Sequence, residues 1–359
     1  MVNLRDIAEK ADVSRMTVSL ALRGDPRVAA ATRERVRKIA KEMGYKPNPK
    51  IATLMSEVAK THHVESGEHL AFLTSHRTED GWKQWDHSVK CFEGARERAA
   101  EYGYVLEPCW VRDAKCPPGK LVHRLWSRGI KGCLVASLGT DMLVGDQRTL
   151  DFDWSRFAVV ELDETLDTPK LTCARHDHFN GMLLLLHALE SLGYRRMGLT
   201  MSRETEMRTR HRWYAAYMLW KETRGFKNDL PILFSDTHNG ILGKKWVLKN
   251  RIDAVVSVDA ALFDLLQDEG ISIPEEVGFC VLDRPEMGDC SLSGIGQNPR
   301  LIGQSAMDIL VGLVRRGERG VPNHPSQWIC NGQWIAGSST QRVGDPLDEQ
   351  PLYDSHLVL

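Results

Sequence analysis

Apolar side chains recur at helical spacing through the first sixty residues. Leu4, Ile7, Ala8 and Ala11 mark a first helix behind an Asn3 cap, and the pattern stops at Asp12-Val13. Ser14 then reads as the N-cap of a second helix, with Val13 stapled onto Val18, and with Val18, Ala21 and Leu22 facing inward until Gly24 ends it. Arg15, Met16, Ser19 and Leu20 are left on the outer face. A third helix carries Val36, Ile39, Ala40 and Met43 on one side and is stopped by Gly44. Two helices joined by a tight turn and braced by a third predict a helix-turn-helix head. Pro47-Asn48-Pro49 breaks the pattern. Ile51, Ala52, Leu54, Met55 and Val58 then suggest one more short amphipathic helix before a polar stretch at 60–69.

Beyond that stretch the period changes. Short apolar runs at 70–73, 132–136, 157–162, 197–201, 254–258 and 277–282 read as buried strands, and helical patterns fill 89–102, 179–192, 213–224 and 302–315. Strand alternating with helix over so long a stretch implies α/β architecture with parallel sheets, divided into two lobes. The predicted organisation is a helical head at 1–46, a hinge helix and linker at 47–68, a two-lobed domain at 69–340, and a loosely ordered tail at 341–359.

Charge refines this division. Residues 1–60 hold thirteen basic and seven acidic side chains, a net +6, which leaves −7 on the other 299 residues. A basic head on an acidic body points to a polyanion partner for the head alone, with nucleic acid the leading candidate. With 42% hydrophobic and 26% charged residues the chain has the composition of a soluble globular protein. No apolar run reaches the length of a membrane helix, and the charged start does not resemble a signal peptide, so the expectation is a cytoplasmic protein without membrane contact. The eight cysteines are scattered without a C-x-x-C pair, which suggests buried, reduced thiols and neither a zinc site nor a disulfide framework. No metal or cofactor is expected. His176-Asp177-His178 is read as structural, since adjacent side chains on a strand point to opposite faces, and His62-His63 as part of a solvated linker, since it has no carboxylate or cysteine companion at metal-ligand spacing.

Several segments together resemble the lactose-repressor-type (LacI/GalR) family of bacterial transcription regulators. In the head they are Leu4-Arg5-Asp6-Ile7-Ala8, Val13-Ser14, Thr17-Val18-Ser19, Thr32-Arg33-Glu34-Arg35-Val36 and Gly44-Tyr45-Lys46-Pro47-Asn48. In the body the likeness is weaker and runs through Ala174-Arg175-His176-Asp177, Leu192-Gly193-Tyr194-Arg195-Arg196, Val258-Asp259-Ala260, Gln297-Asn298-Pro299 and Gly337-Ser338-Ser339-Thr340. The resemblance implies a two-lobed sensor, similar to periplasmic sugar-binding proteins, fused to a DNA-binding head and acting as a homodimer. The chain departs from the family at Asp12, where glycine or asparagine is usual, at Ala29 in place of a serine cap, at Leu20 in place of a polar reader, and at Ile51. The loop at 75–86 is also unusual.

Arg15, Met16 and Leu20 occupy positions from which a recognition helix reaches base edges, arginine toward guanine and the apolar pair toward a thymine methyl. Thr17, Ser19, Asn3 and Tyr45 suit phosphate contacts. Leu54 matches the leucine that wedges into the minor groove in the family. In the sensor, Arg210 before Trp213-Tyr214 matches a ligand-contacting arginine of the family. Asp259 and Asp283 follow apolar strands, where ligands meet open α/β sheets, while Trp82 and Trp85 are placed to stack on a sugar ring. The reading that results is a ligand-responsive repressor of carbohydrate-related genes that binds a palindromic operator. A sugar-modifying enzyme with a DNA-binding appendage is the alternative, but no nucleophile elbow, phosphate loop or dinucleotide fingerprint supports it. A solute-binding protein would need export.

Overall fold

The computed structural model describes residues 4–22, 28–43, 68–138, 143–144, 147–226, 229–235, 239–284 and 291–344. Tyr45, Leu54, the segment at 47–67 with its two histidines, and most of the tail lie outside the described residues.

Three helices form the head: α1 (Leu4–Ala11), α2 (Arg15–Leu22) and α3 (Ala30–Glu42). Ile7, Ala8, Ala11, Val18, Ala21, Val28, Val36 and Ala40 close a small core, with Val13 packed against it. Ser14 caps α2 as expected, its Oγ accepting from the Thr17 amide at 3.0 Å. Two of the departures noted above have physical consequences here. Asp12 in the turn adopts a left-handed φ of 50°, which glycine or asparagine accommodates with less strain. Ala29 caps α3 without a side-chain acceptor. Ala29→Ser should therefore stabilise the head by about 1 kcal/mol. The gain will appear as slower hydrogen exchange at the first amides of α3, and unchanged exchange there would mean that the end is already satisfied.

The first lobe is built on a fully parallel sheet in the order β13-β7-β6-β3-β1-β2. Its strands are β1 (Glu68–Thr74), β2 (Tyr104–Trp110), β3 (Gly132–Val135), β6 (Ala158–Leu162), β7 (Cys173–His176) and β13 (Gln327–Cys330), while β4 (Leu143–Val144) and β5 (Gln147–Arg148) pair as a separate hairpin. Side chains alternate across β1. Leu70 and Phe72 face a core shared with α4 (Asp86–Glu101) and α11 (Pro299–Arg316), whereas Ala71 and Leu73 face one shared with α5 (Pro118–Ser127). A sheet covered on both faces explains why these strands read as continuous apolar runs.

The second lobe repeats the plan, in the order β14-β12-β11-β10-β8-β9. Here β8 (Met197–Met201), β9 (Leu233–Phe234), β10 (Ala254–Ser257), β11 (Gly278–Val281) and β12 (Ser293–Gly296) run parallel, and β14 (Gln333–Ile335) is antiparallel to β12. Its helices are α6 (His178–Ser191), α7 (Arg203–Arg208), α8 (Arg212–Thr223), α9 (Gly240–Asn250) and α10 (Ala261–Asp268). Packing continues past residue 340: the Gln341 amide donates to Tyr194 Oη at 3.1 Å and the Val343 amide to the Leu192 carbonyl at 2.8 Å.

The described chain passes between the lobes three times, after β7, between β12 and α11, and between β13 and β14. The helix that makes the second passage is held tightly. A Cβ added to Gly303 on α11 would lie 1.9 Å from the Cys91 carbonyl oxygen on α4, and one added to Gly94 would lie 2.1 Å from that of Arg300. Glycine is therefore required on both helices for their backbones to approach this closely. Among the described residues no helix is long and apolar enough to cross a membrane.

Candidate functional site

Two loops face each other across the seam. The first follows β6 at the open end of the first sheet, and the second joins α7 to α8 in the other lobe. Each contains two consecutive non-glycine residues in left-handed backbone, Asp163 (φ 66°) and Glu164 (φ 55°) on one side, Arg210 (φ 54°) and His211 (φ 60°) on the other. Such strain persists where surrounding bonds hold it in place, and here one strained residue, Arg210, bonds to another, Glu164. Arg210 donates Nη2 to the Leu166 carbonyl at 2.6 Å, Nε to that of Glu164 at 3.3 Å, and Nη1 to the Asp167 carboxylate. Arg212 reaches Glu164 Oε2 at 2.6 Å, and Arg175 of the first lobe shares that oxygen at 3.5 Å. Burial would raise the Asp167 carboxyl, but the Arg148 amide and the Arg210 guanidinium outweigh it and hold it below the ordinary carboxylate range.

A second group lies beside these ion pairs. His87 on α4 bonds through Nε2 to Asp163 Oδ2 at 2.9 Å, and Ser137 donates to the same oxygen. Across the seam, Asp283 Oδ1 stands 4.0 Å from His87 Nδ1. Burial works against the imidazolium of His87, yet Cys91 and Asp163 outweigh burial and raise it well above the usual histidine range. Burial also works against the Asp163 carboxylate, but His87 and Ser137 bring it below the usual value. Asp283 is raised by burial. His87, Cys91 and Asp163 offer three donor atoms within 4.8 Å of one another. The Cys91 thiol is itself raised by burial, with His87 acting against that shift, and the group reads as a hydrogen-bonded cluster. Deeper in, His176 is lowered to about 4 and His178 well below its ordinary value, both by burial, and both are neutral. The His178 ring packs edge-on to Trp213 at 4.8 Å.

Glu161, at the root of the first loop, is pushed up to about 8 by burial. Its Oε1 accepts from the Leu166 amide at 2.5 Å and from Thr165 Oγ1 at 3.1 Å, while Oε2 is buried without a partner among the described residues and is the natural seat of the proton. The folded chain thus binds a proton that the unfolded chain releases above about pH 4.5, so stability falls as pH rises from there toward 8. Glu161→Gln should abolish that slope and melt above the parent at pH 8.5. Parallel curves for the two proteins between pH 5 and 8 would show that Glu161 ionises freely.

The residues expected from sequence divide clearly. Arg210 and Asp283 sit on the seam, in the second lobe, and face first-lobe residues. Asp259 accepts from the Ala261 amide at 2.8 Å at the start of α10. Trp82 is only 3% exposed, with its ring packed against Phe72 and Phe92 at 5.5 and 5.1 Å. It completes the core of its own lobe and is not available to stack on a ligand. Trp85 is 62% exposed, two residues before His87. Arg15, Met16, Thr17, Ser19 and Leu20 all lie on α2, and Thr17 Oγ1 contacts the Ser14 hydroxyl at 2.9 Å. His87, Arg148, Asp163, Glu164, Asp167, Arg175 and Arg212 were not expected. Only their convergence in space singles them out, although Arg175 stands inside one of the matching segments. The seven described cysteines are free and buried.

Residues 3–48 match the family described as "Bacterial regulatory proteins, lacI family". The match is confined to the head. A curated relative, the HTH-type transcriptional regulator MalR of Staphylococcus xylosus, is 41% identical over 61 residues, 17% of this chain and 18% of that protein. That match covers less than a fifth of the relative. Solved structures match most of the chain. The transcriptional regulator CelR–cellobiose complex superposes with a TM-score of 0.59 at 20% identity, covering 94% of this chain and 100% of that one. The lac repressor dimer bound to operator and the anti-inducer ONPF gives 0.54 at 19% identity, over 95% and 99%. These likenesses establish the fold, a three-helix head followed by a two-lobed α/β domain.

Proposed function

We propose that the protein is a ligand-responsive, sequence-specific transcription regulator, a repressor of carbohydrate-related genes that binds a palindromic DNA operator as a homodimer in the cytoplasm and catalyses no reaction. The observation that carries this reading is a lacI-type head joined to a domain whose two lobes are latched by Arg210 over a polar seam. A small polar effector, a sugar or sugar derivative, would enter that seam and change the balance between lobe arrangements. The change reaches DNA only if the effector prefers one arrangement, and coupling of this kind is typically about 1–3 kcal/mol. Arg210 and Asp283 are the first choices for its polar contacts, with Trp85 beside them. On DNA, Arg15, Met16 and Leu20 are assigned to base edges, Thr17, Ser19 and Tyr45 to phosphates, and Leu54 to a minor-groove wedge. The basic head supplies the sequence-independent attraction.

Selection of bound sequences from a random duplex library tests this reading. Recovered sites should contain an inverted repeat, because each head offers one recognition helix and a dimer doubles it. Arg15→Ala should then lose about 1–3 kcal/mol and relax preference at one base pair in each half-site. Selected sites without symmetry would remove the dimeric operator. A loss spread evenly over all sequences would move Arg15 to a phosphate.

A further inference from the structure

One guanidinium at the seam is buried and unanswered. Arg148, on the β4–β5 hairpin, is 2% exposed, and its Nε and Nη2 have no hydrogen-bond partner among the described residues. Its backbone is fixed firmly, with its amide donating to Asp167 Oδ2 at 2.7 Å and its carbonyl accepting from the Asp167 amide at 2.8 Å. The carboxylates that act on its side chain, Asp167 and Glu204, do so through charge alone and make no hydrogen bond to Nε or Nη2. Asp167 serves the Arg148 amide and the Arg210 side chain, and Glu164 serves Arg175 and Arg212. Burial lowers the pKa of Arg148; Asp167 and Glu204 oppose it, and the like charges of Arg208 and Arg210 from the other lobe act in the same direction as burial. Two buried guanidinium N–H groups without acceptors are costly until a ligand reaches them, and an anion would both accept from them and offset the neighbouring arginines.

The two unpartnered nitrogens narrow the choice of anion. Nε and Nη2 form one edge of the guanidinium plane, the edge that accepts two oxygens of a single carboxylate or phosphate side by side. Other polar atoms at the seam suit a hydroxylated body attached to that anion: Asp163 Oδ1, His178 Nδ1 and Arg212 Nη1 are also buried without partners among the described residues. Building on the effector-sensing role proposed above, we propose that the effector is an acidic sugar derivative, a sugar carboxylate or sugar phosphate, whose anionic group docks on the Nε–Nη2 edge of Arg148. The same anion competes with Asp167 for Arg210, so its arrival loosens the latch that holds the lobes together.

The test uses the full chain and thermal unfolding at constant ionic strength. Phosphate or acetate, exchanged for chloride, should raise the melting temperature saturably in the parent. Arg148→Gln should weaken that binding at least ten-fold and, without ligand, melt no lower than the parent, whereas Arg148→Lys should keep part of the response. Glucose, glucuronate and glucose 6-phosphate then separate the sources. Preference for glucuronate identifies a carboxylate, preference for glucose 6-phosphate a phosphate, and glucose binding as tightly as either overturns the proposal. So does an unsaturable anion effect, or an equal one in Arg148→Gln. The two readings fail separately. Saturable anion binding with no change in affinity for the selected DNA site removes the regulatory role and keeps the anion seat. A DNA response to a neutral ligand that survives Arg148→Gln removes the anion seat and keeps the regulator.

Discussion

Arg210→Ala should free the lobes from each other and abolish the response to effector, while leaving each lobe folded. The side chain makes three hydrogen bonds across the seam, one of them to a carboxylate, and because that pair is partly exposed its truncation should cost about 2 kcal/mol, the lower end of what a buried charged pair loses. A difference of that size is enough to convert a mostly closed ensemble into a mostly open one. Small-angle scattering of the variant should show a broader particle, and saturating effector should no longer change affinity for the selected DNA site. DNA binding itself should stay near normal, since no described residue of the head takes part in the seam. The Asp167 carboxyl should rise as it loses the guanidinium. Pairing the variant with Asp167→Asn in a double-mutant cycle separates the direct bond from the backbone contacts. If the variant scatters and responds like the parent, the latch is not what couples the lobes.

The second large effect is structural. Gly303→Val should cost about 3–5 kcal/mol, at the upper end of what overpacking does, because the obstacle is backbone on α4 that no rotamer change can move aside. Displacing α11 also uncovers Ile302, Ala306, Met307, Leu310 and Val311, which fill the core of the first lobe. A melting temperature lower by roughly 10 °C is expected from the usual entropy of unfolding. Gly119→Ala provides the control, since an added Cβ there meets nothing within 4 Å. Equal behaviour of the two variants would mean that the helices can separate without loss.

How much the sequence reveals depends on where each element sits. Central strands such as β8 and β10 are buried on both faces and can be read from their apolar runs alone. Edge strands are not legible in this way. β2 alternates exposed and buried residues around Pro108, and β13 exposes Trp328 and Ile329. β12, Ser293–Gly296, contains two glycines and lacks β propensity, and only its partners on both sides make it a strand. The head was legible nearly residue by residue because its signals are local caps and helical spacing. The seam was legible only at Arg210 and Asp283. Arg148 lies in the short strand β5 and Asp163 and Asp167 in the loop after β6, and nothing in the sequence around them signals the distant residues they meet, Asp167 with Arg210 43 positions on and Asp163 with His87 76 positions back. Trp82 illustrates the converse, since an aromatic after a strand can serve a ligand or its own core, and Phe72 and Phe92 decide the matter in space.

The three passages of the chain between lobes also govern the order of assembly on the ribosome. The head needs only contacts within its own first forty-odd residues, so it can fold as soon as it emerges. The first lobe waits far longer, because β13 pairs with β7 about 150 residues upstream, and α11, which fills its core, is made just before that strand. Long-range pairings of this kind form slowly. During synthesis there is thus an interval in which a folded, positively charged head is tethered to an unfinished body. Ribosomes slowed between codons 220 and 330 should yield nascent chains already able to associate with DNA but deaf to any effector.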